Sequence, residues 1–130
     1  MPAMERSRDR LAQARRDLEM ARLDYQKACD DLACFMAYQA AEKALKAVFG
    51  ARGTWARGDS LLRLLQELEA DETLLHSARF LDQILGRYYL QSIYPNGLPG
   101  SPVEPLDAVL AKEAINAADS ILRFSSDHLG

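Results

Sequence analysis

Four polar side chains interrupt an otherwise apolar stretch over residues 33–49, and their spacing gives them a common direction. Glu42, Lys43 and Lys46 lie three, four and seven residues after Gln39. On a helix this spacing places all four on one stripe. One interpretation is a solvent-facing stripe, in which the Glu42–Lys46 pair contributes ~0.3–0.5 kcal/mol. The other is a buried or interfacial polar network that binds a ligand.

A basic connection follows this stretch and carries the other candidate site residues. Arg52 directly follows the apolar segment, while Arg57 and Asp59 precede the run SLLRLL that begins at Ser60. Arginines beside the free N–H groups of a helix N-terminus can form a phosphate cradle. The alternative is that the arginines are exposed in a loop and that Asp59 is the N-cap of the next helix.

Apolar periodicity predicts that five helices position these residues, and no strand pattern is present. The predicted helices cover residues 4–28, 30–51, 60–70, 72–90 and 108–128, with Asp71 and Asp107 as N-caps of the last two. The fold class is therefore all-α: an antiparallel bundle of four long helices plus one short helix, with the second helix at its centre.

A segment rich in proline and glycine, QSIYPNGLPGSPVEPL, separates the fourth helix from the fifth. No regular element is compatible with its four prolines, and Asn96-Gly97 predicts a turn. We expect this segment to form a strap across the surface, with Tyr88, Tyr89 and Tyr94 anchoring its start.

Length and charge limit the possible classes of protein. A chain of 130 residues with 48% hydrophobic content predicts a single domain over residues 1–130. The net charge of −3 provides no global attraction to nucleic acid, so an RNA-binding surface would have to be a local patch. Six arginines fall within the first 22 residues, but interleaved carboxylates favour a solvated, ion-paired face there.

Location, metals and cofactors can be judged from the same sequence. No apolar run is long enough for a membrane span, and the N-terminal segment is charged, so we expect a cytoplasmic protein. Cys29 and Cys34 lie five residues apart, which is neither a disulfide nor a metal spacing, and His76 and His128 are scattered. Both cysteines are therefore interpreted as structural thiols, and we expect neither a metal nor a cofactor.

Two segments resemble the HEPN domain family. The first is ACFMAYQAAEKALKAVFGARG, followed by RGDSLLRLL; the second is RYYLQSIYPNGLPG, which is similar to the Tyr-rich and Pro-rich strap before the last helix of that family. The resemblance implies a helical-bundle protomer that pairs into a symmetric dimer. It also implies a possible partner, because many family members are encoded beside a minimal nucleotidyltransferase and act with it as a toxin–antitoxin pair.

The active members that this chain resembles are metal-independent ribonucleases with an Arg followed after a short interval by a His. These two side chains assist attack of the RNA 2′-hydroxyl on the adjacent phosphate, in a cleft formed by the dimer. By the resemblance, Arg52 matches the motif Arg, and Asp59 stands where the family has His. A carboxyl group with a reference pKa of about 3.9 is a poor general acid at neutral pH and repels phosphate.

Three functions follow as hypotheses. The first is a dimeric HEPN-like protein with a degenerate ribonuclease motif, which binds a nucleotide, RNA or a nucleotidyltransferase partner through the residues named above. The second is an active metal-independent endoribonuclease, the toxin of a toxin–antitoxin pair, in which Asp59 serves as a general base. The third is a structural helical-bundle interaction domain, since a fold alone does not determine a function.

Overall fold

The structure is a computed structural model, which describes residues 2–54, 60–97, 99–100 and 104–129. The described residues form five helices: α1 (Pro2–Gln26), α2 (Asp30–Ala51), α3 (Leu61–Glu67), α4 (Glu72–Ile93) and α5 (Ala108–Leu129). No strand occurs in these ranges. The predicted all-α class and the number of helices are confirmed, and the predicted boundaries differ from the observed ones by a few residues at most.

Local side-chain caps explain where α3, α4 and α5 begin. The Asp71 carboxylate accepts a hydrogen bond from the backbone N–H of Leu74 at 3.0 Å, and the Asp107 carboxylate accepts one from Leu110 at 2.9 Å. These two predicted caps are confirmed. The N-cap of α3, however, is Ser60. The prediction of Asp59 as that cap is therefore wrong, and Asp59 itself lies outside the described residues.

Contacts between side chains give the directions of the helices. Arg22 approaches Asp119 at 3.7 Å and Arg15 donates to Ser126 at 3.2 Å, so α1 and α5 are antiparallel. Lys43 pairs with Asp17 and Gly50 lies close to Ser7, so α1 and α2 are antiparallel as well. Each of the two neighbours of α1 therefore runs opposite to it, as expected for a bundle of staves joined by short connections.

Helix α2 lies at the centre, as predicted, because it contacts each of the other four helices. Within the described ranges α1 and α4 do not contact each other, so α2 and α5 form the short diagonal of the bundle. Alanines on α2 permit this close packing, since small side chains allow two helix axes to approach. The buried residues of α2 are Ala33, Cys34, Ala37, Tyr38, Ala40, Ala41, Ala44, Leu45, Ala47, Val48 and Phe49.

The described part of the Pro-rich segment is attached to the bundle at its second half. The Arg87 guanidinium donates to the carbonyl of Glu104 at 3.1 Å, and Leu106 is buried. Tyr88 is half-buried, but Tyr89 and Tyr94 are 49% and 44% exposed. The expectation that all three tyrosines anchor the segment therefore stays a prediction. Among the described helices, none combines the length and the apolar character that a membrane crossing requires.

Candidate functional site at the elbow between α2 and α3

Arg52 ends α2 and begins the elbow that leads to α3. Its backbone N–H donates to the carbonyls of Val48 and Phe49 at 3.3 and 3.1 Å. Gly53, with a φ of +73°, turns the chain and donates to Gly50 at 3.1 Å, and Thr54 donates to Phe49 through both its N–H and its hydroxyl. The carbonyls of Val48, Phe49 and Gly50 near the end of α2 are therefore satisfied by the elbow's own groups. The exposed Arg52 guanidinium forms no ion pair with the described residues.

The start of α3 is capped from another helix by a carboxylate that the sequence analysis missed. Oδ1 of Asp82 on α4 accepts the N–H of Leu61 at 3.0 Å, and Oδ2 accepts that of Leu62 at 3.1 Å. The hydroxyl of Ser60 accepts the N–H of Arg63 at 3.2 Å. The expectation of free N–H groups for a phosphate at this terminus is therefore wrong, because they already have internal acceptors. Arg57, the other half of the predicted cradle, lies outside the described residues.

Burial shapes the electrostatics of this region. Burial raises the pKa of Asp82, and the two N–H donors from α3 only partly offset the rise. The buried hydroxyl of Tyr38 also has a raised pKa, first because of burial and then because of the negative charges of Asp82 and Glu42. The seam between α2 and α4 beside the elbow is therefore acidic and partly desolvated.

The predicted polar stripe on α2 is half-buried and takes part in contacts within the bundle. Glu42 and Lys46 form the expected pair at 3.7 Å. Lys43 forms an ion pair at 2.6 Å with Asp17 of α1, whose other oxygen accepts a hydrogen bond from Gln13 at 3.1 Å. The stripe thus includes a polar network between helices, which is one of the two interpretations given above.

The structure gives relative positions for only some of the predicted site residues. Gln39 is half-buried on the same stripe, and a role for the stripe in binding a ligand stays a prediction. A helical rise of 1.5 Å per residue places Lys46 about 9 Å from Arg52 along the axis of α2. Because Asp59 is not among the described residues, its predicted meeting with Arg52 also stays a prediction.

The two carboxylates that sequence reasoning missed had a detectable signal. Asp82 lies four residues after Ala78 and three before Leu85, which is the spacing of one helix face. Asp17 lies three residues after Ala14 and four before Ala21, both of which are buried. A carboxylate in register with buried residues indicates an internal partner, because an unpaired buried charge is costly.

The two histidines lie on other elements of the bundle. His76 is exposed on α4. His128 is near the end of α5, where Nδ1 lies 2.9 Å from the carbonyl of Phe124 and the ring stacks on the Phe124 ring at 4.0 Å. In the described ranges, no group of three or more His, Cys, Asp or Glu side chains could hold a metal ion.

The architecture and the elbow together define a class of protein. The described residues form five helices, with an Arg-Gly elbow before a short α3 and a Pro-rich segment before the last helix, which is the arrangement expected of a HEPN bundle. The model of the HEPN domain matches residues 7–128. The chain therefore belongs to the HEPN family.

Solved structures similar to this chain support the same assignment. TT1696 from Thermus thermophilus is 37% identical with a TM-score of 0.80, over 95% of this chain and 98% of that one. The archaeal HEPN homologue ST0689 is 35% identical with a TM-score of 0.77, over the same shares. A HEPN domain protein of Thermotoga maritima, tm0613, is 34% identical with a TM-score of 0.71, over 92% and 95%. No protein of curated function matches the chain.

Proposed function

We propose that this HEPN protein is a cytoplasmic homodimer that binds the phosphates of a nucleotide or RNA without cleaving RNA. We further propose that its protein partner is a minimal nucleotidyltransferase. The proposal that the protein does not cleave RNA rests on one observation, the acidic character of the start of α3. By the resemblance, Asp59 stands where the family has His, and the Asp82 carboxylate accepts hydrogen bonds from the N–H groups of Leu61 and Leu62.

The chemistry of RNA cleavage explains why this matters. Attack by a 2′-hydroxyl requires a group that exchanges protons near neutral pH, and imidazole is suited to that task. A carboxylate instead repels the phosphate on which the attack occurs. The two histidines, His76 on α4 and His128 on α5, are not part of the elbow. Arg52, exposed and without an ion pair to the described residues, retains the ability to contact a phosphate.

An exposed aromatic and aliphatic surface supports the dimer. Ile93 on α4 is 67% exposed, and Tyr89 and Tyr94 nearby are about half-exposed. Tyr89 belongs to a ring cluster with Tyr88 and Phe35, with centroid distances of 4.6 to 6.4 Å. Rigid aromatic side chains on a surface are typical of protein interfaces. A second copy that covers this surface would remove it from water.

The dimer is tested by light scattering after size-exclusion chromatography. Ile93→Glu should convert a dimeric wild type into a folded monomer. Val109→Glu is the matched control, since Val109 is also a branched aliphatic, is 65% exposed and lies on α5, outside the ring cluster. A monomeric wild type, or equal dissociation of the two variants, would exclude a dimer through this surface.

The absence of cleavage is tested with single-stranded RNA in the presence of EDTA. Wild-type protein should leave the RNA intact, and Asp59→His should gain a cleavage activity that Arg52→Ala abolishes. Cleavage by the wild type that is lost in Arg52→Ala would instead establish the active ribonuclease. Failure to bind RNA, nucleotide and a co-expressed nucleotidyltransferase would leave the structural interaction domain as the function.

A further inference from the structure

We propose that a groove between the first turns of α1 and the end of α2 binds a phosphate group, with the Arg10 guanidinium as its principal contact. Arg52, the motif position that the structure describes, does not line this groove, although it adjoins Gly53 in the chain. The location of the site is taken from the groove alone and not from the family motif. The identity of its ligand, a nucleotide or the backbone of RNA, rests on the function proposed above.

The groove is a cavity of about 180 Å³ that opens to solvent. Its lining includes Arg6, Ser7 and Arg10 from α1, and Gly50, Gly53 and Thr54 from the other side. Most of the lining surface is apolar, and the backbone N–H groups of Gly53 and Thr54 already donate to carbonyls of α2. The donors to an anion are therefore the arginine side chains, chiefly Arg10, which suit a small anion with several oxygen acceptors.

Glycine at position 50 is what allows the two helices to approach here. A Cβ added to Gly50 would lie 3.2 Å from the hydroxyl oxygen of Ser7 and 3.5 Å from Nη1 of Arg10. The Arg10 guanidinium therefore lies directly over the last turn of α2. Ser7, three residues earlier on α1, is buried and close to the same glycine.

The end of α2 does not need Arg10 as a cap. The carbonyls of Val48, Phe49 and Gly50 already accept hydrogen bonds from the backbone N–H groups of the elbow. Arg10 itself forms no ion pair or hydrogen bond with the described residues. Its guanidinium therefore retains all of its donors for a ligand, and two parallel N–H donors match two oxygens of a phosphate.

The local charge favours an anion despite the net negative charge of the chain. Residues 2–10 and 50–54 contain four arginines and two carboxylates. Two other arginines of α1 have partners on α5, whereas Arg8 and Arg16, like Arg10, form no ion pair or side-chain hydrogen bond with the described residues. Arg22 pairs with Asp119 and Arg15 donates to Ser126. The expected ion-paired face of α1 is thus observed at Arg22, whereas Arg15 donates to a hydroxyl and Arg10 has no ion pair with the described residues.

The experiment is a titration of ¹⁵N-labelled full-length protein, followed by ¹H–¹⁵N correlation spectra. The probes are inorganic phosphate, AMP and a short single-stranded oligo(A) RNA. We expect saturable shifts of the Gly50, Gly53 and Thr54 amides. Saturation by phosphate or AMP identifies a free phosphate or nucleotide as the source of the ligand, and saturation by oligo(A) alone identifies the RNA backbone. The absence of shifts at these amides with all three probes would overturn the proposal.

Arg10→Ala and Arg8→Ala form a matched pair, since both residues are exposed on the same turns of α1 but only Arg10 lines the groove. We expect binding about tenfold weaker or more in Arg10→Ala, and a change of less than about twofold in Arg8→Ala. If oligo(A) binds, the slope of log K against log salt should fall by about 0.7 in Arg10→Ala. Equal weakening in the two variants would overturn the proposal, because it would indicate general attraction to a basic helix.

Failure of this proposal can be distinguished from failure of the proposed function. If Arg52→Ala weakens RNA binding while the Gly50 and Gly53 amides stay unshifted, the groove is excluded and the proposed function stands. If none of the probes binds anywhere on the protein, both are overturned. Circular dichroism of Arg10→Ala should show an unchanged melting temperature, since the side chain is exposed.

Discussion

Lys43 on α2 and Asp17 on α1 form an ion pair with a distance of 2.6 Å between Nζ and Oδ2. The Asp17 side chain is only 6% exposed, while that of Lys43 is 36% exposed. Gln13 donates to the second carboxylate oxygen. A nearly buried negative charge is thus matched by one cation that reaches it from the neighbouring helix, which fixes the register of α1 on α2.

Removal of that cation should destabilise the bundle. Lys43→Met leaves the Asp17 carboxylate buried with Gln13 as its hydrogen-bond donor. We expect a loss of about 1–3 kcal/mol in the free energy of unfolding, below the range for fully buried pairs because Lys43 is partly exposed. Urea denaturation measures it. Lys46→Met, which breaks the more exposed pair with Glu42, is the control and should cost about 0.5 kcal/mol or less. Equal losses would contradict the structural role of the Lys43–Asp17 pair.

Asp82 should be required for the order of α3. Asp82→Ala removes the acceptors of two N–H groups from a helix of only seven residues. We expect a loss of about 1–3 kcal/mol and faster hydrogen exchange at the amides of Leu61 and Leu62. Ser60→Ala should cost about 1 kcal/mol and accelerate exchange at Arg63 instead. An exchange pattern that is the same in the two variants would refute the separate roles of the two caps.

The raised pKa of Asp82 predicts a specific dependence of stability on pH. Because burial raises the pKa of the folded state above the reference of 3.8, the folded protein binds this proton more tightly than the unfolded chain. The resulting stabilisation is fully present below 3.8 and is lost as the pH rises through the folded-state pKa. The stability of wild type relative to Asp82→Asn should therefore decrease as the pH rises from 3.8 to the folded-state pKa. Above that pKa it should stay constant. Urea unfolding at a series of pH values measures this, and an increase with pH would contradict it.

Much of the fold could be predicted because it depends on local signals. The periodicity of α2 and the side-chain caps Asp71 and Asp107 act within a few residues, so the sequence displays them directly. The N-cap of α3 is harder to place from sequence, because Asp59 and Ser60 are both good capping types. Only the backbone at Ser60, with φ of −62° and ψ of 156°, identifies the residue that lies outside the helix.

The candidate site could be predicted less well because its contacts join residues that are distant in sequence. The sequence separations of 26 from Asp17 to Lys43 and of 21 from Leu61 to Asp82 are spanned only once the bundle is assembled. The groove under Arg10 depends on the close approach of Ser7 to Gly50, which no local pattern indicates. Periodicity reports the face on which a residue lies, but not the helix that packs against that face.

The two cysteines should differ sharply in reactivity. Burial, followed by the charges of Asp30 and Asp31, raises the pKa of the Cys34 thiol to about 12. A thiol that stays protonated at neutral pH is a poor nucleophile. With a disulfide reagent we therefore expect one thiol to react in the folded protein and the second only after unfolding. Cys29→Ser should abolish the fast reaction, because Cys29 is the partly exposed cysteine. A fast reaction that persists in this variant would show that Cys34 is accessible.

Two glycines within helices should respond oppositely to the same substitution. An added Cβ at Gly86, which is exposed on α4, would meet no atom within 4 Å. Gly86→Ala should therefore stabilise the protein by about 0.5–1 kcal/mol, through helix propensity and a less flexible unfolded chain. Gly50→Ala has the same intrinsic gain, but its Cβ would press on the Ser7 hydroxyl at 3.2 Å, so we expect that gain to be cancelled or reversed. Urea denaturation at one fixed protein concentration compares the free energies of unfolding of the two variants. Equal increases would show that α1 moves at Ser7 without cost to accommodate the added Cβ.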